Sequence, residues 1–70
     1  MRKVPITTEY IKLDALLKYT GVCGTGGEAK AVIQEGMVTV NGEVCTQRGK
    51  KLVKGDKIQF DEEEIEVIAK

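Results

Sequence analysis

Seventy residues with eleven basic and eleven acidic side chains, 41% hydrophobic positions, one Phe, two Tyr and no Trp describe one small globular domain, residues 1–70, whose core must be Leu, Ile, Val and Ala. A chain of this size buries only about 60% of the surface its unfolded form exposes, so little is left for a second domain. No apolar run approaches the ~18 residues of a membrane-spanning helix, histidine is absent and the two cysteines stand 22 positions apart, which together exclude such a helix and the usual zinc sites and lead us to expect a cytoplasmic protein with reduced thiols.

Residues 2–7 are rich in β-branched side chains but contain Pro5, which suits an edge strand or an extended arm. Residues 10–13 also read as extended. From Leu13 the spacing changes: Leu13, Leu16 and Leu17 form one apolar helical stripe, and Gly21 is placed to end it. A second helix begins at Thr25 and Glu28, a Thr-x-x-Glu capping box in which each side chain satisfies a backbone amide. Ala29, Val32 and Ile33 supply its buried face, and Gly36 its left-handed stop.

Beyond Gly36 the period falls to two. Val38 and Val40 point one way, and Asn41-Gly42 provides the positive φ angles of a type I′ hairpin, with Val44 on the returning strand. A basic loop follows, closing at Leu52-Val53 and a Lys54-Gly55-Asp56 turn. Ile58 to Phe60 reads as a strand, residues 61–64 as an acidic turn, and Ile65, Val67 and Ile68 as a last strand. The outline is a strand, two short helices and then an antiparallel sheet.

The zero net charge conceals a segregation. Residues 1–60 hold ten basic side chains against six acidic ones, whereas residues 61–70 hold five acidic against Lys70. Within residues 46–57, Arg48, Lys50, Lys51, Lys54 and Lys57 face only Asp56. Clustered cations of this kind suit a polyanion, because each phosphate neutralised releases counterions.

Taken in order, Lys12-Leu13-Asp14-x-Leu16-Leu17, Glu28-Ala29-Lys30 with Ile33, Gly36-x-Val38-x-Val40-Asn41-Gly42 and Lys54-Gly55-Asp56-x-Ile58 resemble the RNA-binding domain named after small-subunit ribosomal protein S-four, also called the αL motif. The resemblance spans about residues 11–60 and is closest to stand-alone bacterial members of the YbcJ and YaaA type, which also carry a Gly-Gly pair before the second helix. It implies an α+β fold, two short N-terminal helices packed on a small antiparallel or mixed sheet. It also implies RNA phosphates held by basic residues of the helices and of the loop after the hairpin; the expected partner is structured RNA, ribosomal or transfer, met by a monomer acting alone, on the ribosome or on its assembly intermediates. Many family members open the second helix with a Ser-Arg pair; here Thr25-Gly26 stands in that place, so an arginine contact there cannot be carried over.

The residues expected to meet RNA are Arg48, Lys50, Lys51 and Lys54 in and after the loop, Lys12 and Lys30 on the two helices, and Thr25, Gly26 and Gly27 at the second helix start. Glycine in a helical turn costs up to ~1 kcal/mol relative to alanine. Gly26 and Gly27 therefore either let a phosphate approach the helix amides or allow close packing of that turn on a neighbour. A protein-interaction module docking a basic partner through the acidic turn is the alternative function. Catalysis is not expected: without His or Ser the usual base and hydroxyl nucleophile are missing. No cofactor is expected.

Overall fold

Local periodicity decides most of the elements. In a computed structural model describing residues 1–70, the chain forms β1 (Arg2–Ile6), β2 (Ile11–Lys12), α1 (Leu13–Tyr19), α2 (Gly26–Gln34), β3 (Val38–Val40), β4 (Glu43–Val44), β5 (Lys51–Leu52), β6 (Lys57–Phe60) and β7 (Glu63–Ala69). Five strands make one sheet in the order β1-β7-β6-β3-β4, and β2 and β5 make a separate two-stranded ladder. β1 runs parallel to β7, with Arg2 opposite Ile65 and Ile6 opposite Ala69, while every other pairing is antiparallel. The sheet is therefore mixed, and β1 is its edge, where Pro5 removes no ladder bond that a central strand would need.

One face of the sheet is the core. Val4, Ile6, Val38, Val40, Ile58, Ile65 and Val67 meet Leu13, Leu16 and Leu17 of α1 and Ala29 and Ile33 of α2, with Leu52 and Cys23 completing the cluster. Each large aliphatic side chain so buried contributes roughly 1.5–3 kcal/mol. Alternation sends the intervening residues to the other face, where Lys3 and Lys57 flank Glu66 in register across three strands. Lys57, which charge counting groups with the basic segment, thus lies beside a carboxylate on the face away from the helices.

The caps follow the sequence with one change. Gly21 and Gly36 take φ of +80° and +77° past the ends of the two helices. Thr25 Oγ1 accepts the Glu28 amide at 3.1 Å, but the Glu28 carboxylate accepts from Gly24 N at 3.3 Å and not from Thr25 N. The acidic turn is also shorter than expected, because Glu63 and Glu64 already belong to β7 and only Asp61 and Glu62 make the bend.

Asn41 does more than turn the β3–β4 hairpin. Its φ of 52° is the left-handed value the turn requires. From that position its amide donates to Asp56 Oδ1 at 3.0 Å and its Oδ1 accepts from Lys57 N at 2.9 Å. Asp56 Oδ2 in turn accepts from Val53 N at 2.9 Å, closing the turn that carries Lys54 and Gly55. Two turns 15 residues apart are clipped into one unit.

Candidate nucleic-acid interface

The ladder of β2 and β5 sets the first part of the site. Its register places Ile11 opposite Leu52 and Lys12 opposite Lys51. Leu52 is buried and Ile11 packs on the core, so alternation sends both lysines outward on the same face. Cross-strand neighbours have Cβ atoms about 5 Å apart, which brings two like charges together. The Lys51 ammonium also lies 4.9 Å from the centroid of the Tyr10 ring, a cation–π contact at the edge of the same patch.

The basic loop supplies the second part. Lys50 N donates to Gln47 O at 3.1 Å, closing a four-residue turn. Leu13 N then donates to Lys50 O at 2.9 Å and Asp14 N to Arg48 O at 3.1 Å. Lys12, the N-cap of α1, makes no side-chain capping bond, so the loop carbonyls satisfy amides the helix would otherwise leave open. Arg48 and Lys50 consequently extend from a backbone fastened to α1. The sequence groups Lys12 with the helices although residues 10–13 read as extended; backbone bonding puts it in β2, directly against Lys51.

Lys12, Arg48, Lys50 and Lys51 thus surround the start of α1, all exposed. The one ion pair within 4 Å in the structure joins Arg2 to Glu63 at 3.9 Å, so none of these four cations is held in a salt bridge. Lys54, also exposed, sits in the turn clipped by Asp56, three residues beyond Lys51. The acidic bend at Asp61 lies at the other end of β6, about 13 Å of strand away from that turn.

Thr25, Gly26, Gly27 and Lys30 form a separate group. Cys23 N donates to Leu17 O at 3.1 Å, holding the connection against the last turns of α1, so α2 begins at the far end of α1 from the basic loop. That helix is about 10 Å long. A Cβ added at Gly26 would meet nothing within 4 Å, and one at Gly27 only Thr25 Oγ1 at 3.9 Å. Close packing therefore does not explain the two glycines. The turn is open, although the Glu28 carboxylate bonded to Gly24 N places a negative charge nearby.

A model of the S4 domain matches residues 4–68, nearly the whole chain. The chain belongs to the S4-domain family. Among its relatives, the Escherichia coli (strain K12) protein named "Putative RNA-binding protein YbcJ" is 37% identical over 60 residues, covering 86% of each chain. The Bacillus subtilis (strain 168) protein named "Probable ribosome maturation protein RlbA" is 40% identical over 58 residues, covering 83% of this chain and 82% of that one. The solution structure of E. coli YbcJ, described as revealing an αL motif involved in RNA-binding, superposes with a TM-score of 0.71 at 32% identity, over 97% of this chain and 85% of the other.

Within this S4 domain the resemblance read from the sequence and the α+β architecture it implied are both borne out. One neighbour of the basic patch escaped the sequence. Tyr10 stands on no apolar stripe and in no motif, and only the fold of β5 against β2 brings Lys51 over its ring. The extended reading of residues 10–13 leaves Tyr10 and Lys12 together on the face opposite Ile11 and Leu13. It could not have supplied Lys51.

Proposed function

We propose that this S4 domain binds structured RNA, ribosomal or transfer, through phosphate contacts made by Lys12, Arg48, Lys50 and Lys51. The observation that carries the reading is the group of four exposed cations, none of them in a salt bridge, held around the α1 start by backbone bonds from Leu13 and Asp14 to the loop. Such a surface recognises closely spaced phosphates by shape and charge, with arginine able to grip one phosphate through two hydrogen bonds. Relatives named for RNA binding and ribosome maturation support the same partner, and the latter favours ribosomal RNA in an assembly intermediate. Lys54 extends the surface along the next turn. Lys30, Thr25 and the open Gly26-Gly27 turn offer a second, weaker contact beyond α1.

The test is a filter-binding titration with a ribosomal RNA hairpin over a range of salt. Neutralising Arg48 and Lys50 together should lower affinity at least tenfold. It should also reduce the slope of log K against log salt by about 0.9 for each phosphate the variant no longer neutralises. Unchanged affinity and slope would refute the assignment.

A further inference from the structure

Beside the basic loop lies a groove of about 470 Å³ that the phosphate-binding surface reaches only through Lys50. Its walls are the β3–β4 hairpin, residues 45–47, Lys50 and Asp56, and hydrogen bonds fasten them at several points. Cys45 N donates to Val38 O at 3.0 Å and the Cys45 thiol to Gln47 O at 3.7 Å. The clip from Asn41 to Asp56 and Lys57 fixes the remaining wall. A groove of this size can accept a nucleotide, and one that is already formed needs little ordering on binding.

Its chemistry is divided. Lys50, one of the four free cations, lines it from the loop, whereas Glu43 and Asp56 line it from the hairpin and the clipped turn. Val44, 63% exposed, adds an apolar surface to the lining. Each Asp56 oxygen accepts one bond, from Asn41 Nδ2 and from Val53 N, and so retains capacity for one more. A nucleotide is divided in the same sense. Its phosphate is anionic, its ring is flat and apolar on both faces, and guanine presents two adjacent N–H donors where uracil presents a single one between two carbonyls.

We propose that the groove takes one unpaired nucleotide of the bound RNA, its phosphate at Lys50, its ring over Val44 and its donor edge at Asp56, with guanine preferred and uracil disfavoured. This rests on the phosphate-binding surface proposed above and adds a base preference to it. Placing both donors of guanine on one carboxylate is the kind of bidentate contact that discriminates among bases by about tenfold or more.

The test uses an RNA hairpin with a single bulged nucleotide, made in four versions with G, A, C or U. The intact protein should bind the G bulge about tenfold more tightly than the U bulge. Asp56→Asn, which converts one acceptor to a donor, should bring the four within about twofold of one another. Because Asp56 also closes a turn, the unmodified protein is titrated in parallel with guanosine monophosphate, which should shift the amide resonances of residues 44–47 and 56. Equal affinity for all four bulges, or no shifts there at millimolar nucleotide, overturns the groove assignment. If neutralising Lys12 and Arg48, which lie outside the groove, leaves all four affinities unchanged, the phosphate surface fails instead, so the two readings fail separately.

Discussion

Lys12 and Lys51 face each other across the β2–β5 ladder, a like-charge pair that the fold tolerates at a point where opposite charges would be more stable. The arrangement makes sense if an external anion completes it. Lys51→Glu should therefore separate fold from function. An attractive cross-strand pair with Lys12 is worth about 0.5 kcal/mol and the lost contact with the Tyr10 ring about as much, so stability should change little, while affinity for a ribosomal RNA hairpin falls at least tenfold. Urea midpoints and binding titrations on the same preparation check both halves. Loss of stability together with affinity would mean that the lysine serves the fold.

The open start of α2 makes a related prediction. Neither Gly26 nor Gly27 takes a positive φ, and a Cβ fits at both. Alanine at each position should thus stabilise the domain by about 0.5 kcal/mol, chiefly by restricting the unfolded chain. If a phosphate uses that turn, the double variant Gly26→Ala with Gly27→Ala should bind RNA several-fold more weakly in spite of its greater stability. Equal binding would remove the turn from the interface and leave the basic loop as the whole contact.

Much of the fold could be read locally. Leu13, Leu16 and Leu17, the Thr25 cap, and the change to period two at Val38 each rest on neighbours within four residues. What escaped depends on pairings distant in sequence. Nothing near Arg2 announces that it will pair in parallel with Ile65. Nothing near Lys12 shows that the amide after it bonds to a loop 37 residues on, so the extended reading of residues 10–13 gives that lysine no partner strand. The candidate cations were all visible in the sequence. Their division into one tight group and one remote group was not, because only backbone bonding sets it.

Asn41 illustrates the same point and can be tested. The sequence accounts for its φ of 52° but not for its two side-chain bonds across 15 and 16 residues. Asn41→Gly keeps the turn and removes the clip, at a cost of about 1 kcal/mol for exposed hydrogen bonds. Asn41→Ala removes the clip and forces a left-handed alanine as well, adding about 1 kcal/mol. Denaturation midpoints should fall in the order wild type, glycine, alanine. Equal midpoints for wild type and glycine would mean that the clip contributes nothing measurable.

Cys23 gives the domain an expected weakness toward alkali. The side chain is only 1% exposed in the core. Burial pushes its thiol up, and the Glu28 carboxylate adds to the shift. In the unfolded chain a cysteine ionises near pH 8.5, so just above that pH the unfolded state has released a proton that the folded state retains. Stability from this group is then complete below about pH 8.5 and declines as pH rises toward the folded-state pKa, by at most about 1.4 kcal/mol per pH unit. Other titrating groups are shared with Cys23→Ala, which lacks only this one. The stability gap between wild type and Cys23→Ala, set at neutral pH by the cavity the smaller side chain leaves, should therefore narrow between pH 8 and pH 10 in urea titrations. A gap that stays constant over that range would show that the thiol ionises alike in both states, and that the core around Cys23 admits water more freely than its burial implies.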